Sequence, residues 1–442
     1  MIKYMIIGII VFYSIAKSQG YALIDCIQTA LQGKKTVLSA DLGVLYAEKG
    51  LTSSYSGLLP LVQVSTSARQ NRFPIENFTS INENFIQETP QLNYINNYSA
   101  GFSLSQTLYD GGRAFYKVKQ AKTNLSISKL NQRLTKIQVI QQVIQSYYGL
   151  LKAQKLLDVA EKSLEMSNQQ VSLVGKQFDL GVVKRTDLLK AQVATGQARV
   201  DVINRKRNLE NSRRILFNDM GLQDFGQYIT AVDEEWVAPS IPSSSEVLHL
   251  LKTQNPSILI SQAQVNLGDL SFKLSKGLRL PLLNSSMNYS ANGETTNQLL
   301  EALNNDWLFG IDFSISLPIY TGNSLSMQQE QAKLSKLQAE YAFITLLNDQ
   351  RVQAELIRET LTNYAEIIPL NRTIVSSAEE DLKLVTERYS LGSATILEVL
   401  DAQVSLMRSN SNLINTVHDA RMQEASLKAI LGTLDQEYNT KE

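Results

Sequence analysis

Two patterns of apolar residues run along this chain. Val62, Val64, Thr66 and Ala68 alternate with Gln63, Ser65, Ser67 and Arg69, a period of two that predicts a strand. Tyr98, Ala100, Phe102 and Leu104 alternate likewise with Ser99, Gly101, Ser103 and Ser105. Trp307, Phe309, Ile311, Phe313, Ile315 and Leu317 alternate with Leu308, Gly310, Asp312, Ser314 and Ser316, and Met287 and Tyr289 add a weaker signal. Strands are therefore expected at about 58–70, 97–109, 279–291 and 305–320. The second pattern is a seven-residue period. Val143, Tyr147, Leu150, Leu157, Ala160, Leu164, Val171, Val174 and Phe178 carry it, and Leu361, Tyr364, Ile368, Val375, Ala378, Leu382, Val385 and Tyr389 repeat it. It predicts long helices in a left-handed coiled coil. No proline interrupts Arg113 to Phe178, roughly 100 Å of helix. Pro369 predicts a kink in the matching helix. Gly181 and Gly392 stand where a left-handed residue would end each long helix. Thr186 or Asp187, and Thr395, are the expected N-caps of the returning helices.

The chain is written twice. Phe178-Asp179-Leu180-Gly181 through Leu188-Leu189-Lys190-Ala191-Gln192 aligns with Tyr389-Ser390-Leu391-Gly392 through Val399-Leu400-Asp401-Ala402-Gln403 at an offset of 211 residues. The same offset lays Phe102-Ser103-Leu104-Ser105 on Phe313-Ser314-Ile315-Ser316. Each copy reads helix, strand, loop, strand, very long helix, tight turn, helix. A Pro/Ser-rich connector, Pro239 to Ser245, follows the acidic run Asp233-Glu234-Glu235. The expected division is a signal peptide at 1–18, a first repeat at 19–238 with its tip near 179–187, a second at 239–434 with its tip near 390–398, and a tail at 435–442.

Lys3, the apolar stretch Tyr4 to Ala16, and Ala16-Lys17-Ser18 read as a secretory signal cut after Ser18, the competing reading being a short buried helix. Asp25 beside Cys26 argues against a lipoprotein anchor, and the helical spacing of Leu23, Ile27, Ala30 and Leu31 favours a buried cysteine. With export in view, alternating strands fit either a sandwich with one wet face or a water-filled membrane barrel. Four strands are few for a sandwich and cannot close a barrel with a lumen, so a barrel would need several chains.

Composition narrows the field. Lys and Arg number 42, as do Asp and Glu, which argues against nucleic acid as a partner. One Cys and two distant His, His249 and His418, give no metal-ligand spacing, and no cofactor is implied. No nucleophile–base pair or phosphate loop suggests an enzyme. No apolar run after the N-terminus is long enough for a membrane helix.

Tyr109-Asp110-Gly111-Gly112-Arg113, the two glycine turns, Arg388-Tyr389-Ser390-Leu391-Gly392 with Thr395 to Ala402, and Leu431-Gly432-Thr433-Leu434 together resemble the TolC-type family of outer-membrane efflux and secretion channels. The resemblance covers nearly the whole chain. It implies a mainly α-helical fold with a β-barrel part: a homotrimer whose chains each give four strands to one barrel in outer-membrane lipid and four helices to a periplasmic tunnel. A small belt would combine the connector near 222–244 with the C-terminal tail. Implied partners are a periplasmic adaptor and an inner-membrane pump of the RND, ABC or MFS type. The implied role is a conduit. The family's periplasmic gate acids match Glu398 and Asp401, though Thr395-x-x-Glu398 also reads as a capping box. The family's latch arginine matches Ala394, while Asp187 and Tyr389 match its partners. Lys184 and Arg185 would replace that cation, face the adaptor or lie in a solvated turn. The tips at Gly181 and Gly392 are the expected adaptor docks, and the loop from Asn71 to Asn97 is expected outside the cell. The rival reading is an exported trimeric coiled-coil adhesin.

Overall fold

In the computed structural model, which describes residues 20–73, 93–222, 230–231 and 237–438, each long helix of one half has a twin in the other. The first half runs β1 (Gly20–Tyr21), α1 (Leu23–Gly33), α2 (Lys35–Ser54), β2 (Leu61–Phe73), β3 (Asn93–Tyr109), α3 (Arg113–Asp179) and α4 (Arg185–Met220). After β4 (Thr230–Ala231), the second runs α5 (Ser244–Gln254), α6 (Pro256–Gly277), β5 (Leu282–Gly293), α7 (Thr296–Asn305), β6 (Leu308–Ser316), α8 (Ser324–Ser390), α9 (Ile396–Leu431) and the short α10 (Leu434–Tyr438). Both α3 and α8 have 67 residues, and both α4 and α9 have 36. The chain is mostly helical with a small sheet. The expected signal peptide, the acidic run 233–235 and most of the 71–97 loop lie outside the described residues.

Local chemistry accounts for what the periodicities did not foresee. The helix that opens each half is broken in two, α1 from α2 and α5 from α6. In the second half, Asn255 Oδ1 accepts from Ile258 N at 3.1 Å, and Pro256 opens α6, where its missing N–H costs nothing. The connection between β5 and β6 is not a plain loop but α7, begun by a capping box between Thr295 and Gln298. Pro369 lies inside α8 without dividing it.

Two compact units emerge. One holds residues 44–127 and 262–342. Its sheet is antiparallel in the order β2-β3-β5-β6, leaving β2 and β6 as edges. The register sorts side chains by polarity: Val62–Leu104–Met287–Ile311 and Val64–Phe102–Tyr289–Phe309 form apolar rows, while Gln63–Ser103–Asn288 lies on the other face. The apolar side is open on β6, where Phe313 is 71% and Ile315 75% exposed. On the polar side Ser67 bonds Ser99 at 2.7 Å and Thr107 donates to Asn284 at 3.0 Å.

The other unit holds the rest of the described chain. Its largest core joins α1, the start of α2, α3, α4, α9 and α10 around Ile27, Ile140, Tyr147 and Phe217, and Cys26 is buried there, its thiol pushed up to about 12 mainly by burial. Arg133 clamps the C-terminal end, with Nε donating to Asp435 Oδ2 at 2.8 Å and Nη2 to Gly432 O at 2.6 Å. In the region of the expected belt, β4 of the connector pairs in parallel with β1, and the described part of the tail lies in α10. A further cluster lies at the hairpin turns.

Candidate functional site

The turns between α3 and α4 and between α8 and α9 are built alike. Gly181 has φ +75° and Gly392 φ +74°. Gly181 N donates to Phe178 O and Val182 N to Gln177 O, both at 2.8 Å. Gly392 N donates to Tyr389 O at 3.1 Å and Ser393 N to Arg388 O at 2.9 Å. This double closure satisfies the last helical carbonyls and needs a left-handed residue, which glycine supplies without a Cβ penalty. A Cβ at either glycine would meet nothing within 4 Å, so backbone conformation, not space, selects them.

The returning helices start differently. Thr395 caps α9, its Oγ1 accepting from Glu398 N at 3.3 Å while Glu398 Oε1 accepts from Thr395 N at 3.0 Å. For α4 the expected cap at Thr186 or Asp187 is not what forms. Lys184 occupies the cap position, with no side-chain bond to the helix, and places Thr186 and Asp187 inside the first turn. Asp187 there complements the positive end of the helix dipole instead.

Behind the turns the hairpins share a core of Val174, Ala191, Val385, Tyr389, Ile396, Val399 and Ala402. Tyr389 is buried and donates its hydroxyl to Gln177 Oε1 at 3.0 Å. Burial raises its phenol pKa, and the nearby Asp187 carboxylate raises it further. Asp187 and Tyr389 are thus brought into electrostatic contact. Ala394 packs against this core. The cation at this tip is Arg388, whose Nη2 donates to Ser393 O at 3.1 Å and lies 3.6 Å from Glu398 Oε2. Glu398 is held below the usual glutamate range by its bonds from Thr395, then by Arg388. Asp401, one turn on, is exposed, and its carboxylate has no hydrogen-bond or ion-pair partner among the described residues. Lys184 and Arg185 are exposed as well.

Sequence reasoning passed over Gln177 and the role of Arg388. Arg388 stood in the quoted motif, but its partners Ser393 and Glu398 meet it only once the turn closes. Gln177 carries no local signal, since its partner lies in the other half. Among the described residues no group of acids, His and Cys is placed to hold a metal ion.

An antiparallel sheet with one open apolar face and one polar face, joined to paired long helical hairpins, defines a membrane transport channel. The chain belongs to the outer membrane efflux protein family, whose pattern matches residues 26–222 and 247–433. It is 24% identical over 400 residues to the outer membrane protein TolC of Vibrio cholerae, covering 88% of this chain and 86% of that one. It is also 24% identical over 336 residues to the outer membrane efflux protein BepC of Brucella suis, covering 75% of this chain and 71% of the relative. In fold it matches the outer membrane protein VceC of Vibrio cholerae with a TM-score of 0.81 at 16% identity, over 93% of this chain and 96% of that one. The protein is an outer-membrane efflux channel of a family of transport proteins, and the adhesin reading is set aside.

Proposed function

We propose that three copies of the chain form one channel, each giving its four strands to a common barrel and its helices to a periplasmic tunnel. The observation that carries this reading is the sheet with two unpaired edges, β2 and β6, beside an open apolar face. Unpaired backbone groups cannot face hydrocarbon, so β2 of one copy pairs with β6 of the next. Two copies would give about eight strands, whose interior side chains fill, whereas three leave a lumen. Residues 1–18 serve export, and 19–238 and 239–434 act as two structural repeats.

The paired tips form the periplasmic end. Asp401 offers a free carboxylate to the lumen, with Glu398 assisting while tied to its helix cap. Asp187 and Tyr389 hold neighbouring helices together. The tips also receive the adaptor, and through it an inner-membrane pump: Leu180, Val182 and Leu391 are 79%, 70% and 82% exposed beside Gly181 and Gly392, with Lys184 and Arg185 alongside. Exposed apolar residues of this kind mark contact surfaces.

Crosslinking in mild detergent tests the assembly. Products should end at three subunits, and the purified protein should conduct in planar bilayers. A monodisperse monomer that stays in water without detergent would overturn it.

A further inference from the structure

The helix α7 lies on the apolar side of the sheet. Along β5, Tyr289, Ala291 and Gly293 share that side, and all three meet the helix. Tyr289 donates its hydroxyl to Leu303 O at 2.6 Å. Ala291 is 1% exposed and Ala302 6%. A Cβ on Gly293 would come within 2.5 Å of Leu299 N, so the glycine is what lets the helix approach. β5 follows α6 and β6 leads into α8, which puts the β5–β6 connection, and α7 with it, at the sheet end opposite to the one those helices join.

Its other side is amphipathic. Leu300 is 62% exposed, flanked by Asn297, Glu301 and Asn304. Trp307, just beyond the helix, stacks on Tyr289 with ring centroids 5.5 Å apart, and aromatic pairs of this kind favour the membrane–water boundary. Beyond that pair β6 is open and apolar through Ile311, Phe313 and Ile315. Its nine residues span about 30 Å, or about 23 Å along the membrane normal at a tilt near 40°. That is close to the apolar band of about 25 Å typical of such barrels.

We infer that α7 is an interfacial helix, seated outside the barrel at the outer edge of the lipid band, where Leu300 enters the acyl boundary and the asparagines contact lipid headgroups. Glu301 is the one acidic residue of this helix and no basic residue accompanies it, so the asparagines offer lipid headgroups hydrogen bonds. The inference rests on the barrel reading above, because it needs the apolar face to meet lipid.

The test uses the full-length protein in phosphatidylcholine vesicles. Trp236 and Trp307 are the two tryptophans of the chain, and W236F and W307F remove them. Leu300→Trp then places one probe on α7, and Phe313→Trp places one on β6 in a second variant. Both sites are exposed, so neither substitution disturbs packing. Lipids brominated near the glycerol or near the chain end report depth. The Leu300→Trp probe should be quenched roughly twofold more by the shallow bromines, as for a helix about 5–10 Å into the boundary. The Phe313→Trp probe should favour the deep ones. Quenching at Phe313→Trp with none at Leu300→Trp would overturn the inference and leave the barrel standing. If neither probe is quenched, the barrel reading falls and the inference falls with it.

Discussion

The hydroxyl of Tyr389 donates to Gln177 Oε1 at 3.0 Å, tying α8 to α3 across 212 residues of sequence. Tyr389→Phe removes that bond with almost no change of volume, so it should loosen the tips by about 0.5–1.5 kcal/mol. Amide exchange should quicken at 178–185 and 389–396 and stay unchanged in the stems of the hairpins. Unaltered exchange at both turns would mean that apolar packing alone holds them.

Asp401 and Glu398 should differ as binders of cations. Cobalt hexammine added to the periplasmic side should block the resting channel. Asp401→Ala should weaken block by at least about 1 kcal/mol, roughly fivefold or more, because one carboxylate attracts even one unit charge by that much at about 4 Å in high dielectric and the blocker is trivalent. Glu398→Ala should weaken it less, because the Glu398 carboxylate is engaged by Thr395 and Arg388. Equal block in Asp401→Ala and the parent would return Asp401 to a solvated helix residue.

Acid should act on the tip through Glu398. Its folded pKa lies below the ordinary 4.5, so its contribution is present above that value and lost as pH falls through the folded one. Exchange at the start of α9, corrected for intrinsic rates, should rise in this window. Glu398→Gln, which still offers an acceptor to Thr395 N, should flatten the dependence.

Asp219 should show the opposite slope. Burial raises its pKa above 3.8 against the pull of Lys34, whose Nζ is 3.8 Å away. The folded state therefore holds its proton more firmly than the unfolded, and this contribution fades as pH rises through the folded pKa. Gln142 Nε2 donates to Asp219 Oδ1 at 2.7 Å, and Asp219→Asn keeps that acceptor. At neutral pH the variant should melt no lower than the parent, within about 1 kcal/mol. A drop of several kcal/mol would show that the Lys34 pair outweighs desolvation.

Glycines with the same backbone angle should respond unequally. A Cβ on Gly111 (φ +74°) would run into the Gly277 carbonyl oxygen, whereas one on Gly181 meets nothing within 4 Å. Gly181→Ala should cost only the left-handed strain of about 1–2 kcal/mol and leave membrane-extracted protein at normal levels. Gly111→Ala should deplete it. Gly181→Leu or Gly392→Leu should then stop dye efflux while the protein remains in the membrane. Normal efflux by both would remove the docking assignment.

How far these features were legible depends on the range of the interactions that make them. The alternation from Val62 to Ala68 and from Trp307 to Leu317 announces strands because one face of a sheet meets a different medium from the other. The seven-residue period of Val143 to Phe178 announces α3 because it must persist over many turns to matter. By contrast α7 has ten residues, too few for periodicity to stand out, and its local mark was the Thr295–Gln298 cap. Lys184 was unreadable as an N-cap because its side chain supplies no cap bond; the closure of the turn puts it there. The Gln177–Tyr389 and Arg388–Glu398 contacts needed three dimensions. The glycine turns themselves did not, since few residues other than glycine tolerate that backbone.

Val174 and Val385 occupy matching positions of the duplication, as do Ala191 and Ala402, and all four are buried in the same tip core. Two descendants of one segment meet there, so the contact resembles a homodimer interface fused into a single polypeptide. At these two positions the buried residue is the same in both copies, whereas buried Ile396 stands at the place of exposed Arg185. Two exposed positions differ in sign: Lys176 matches Glu387, and Lys190 matches Asp401. Each chain therefore carries lysine and acid at equivalent places of its two tips. Unlike charges at equivalent places attract where identical ones would repel, so divergence of the twin segments removes a repulsion that exact duplication would have built in.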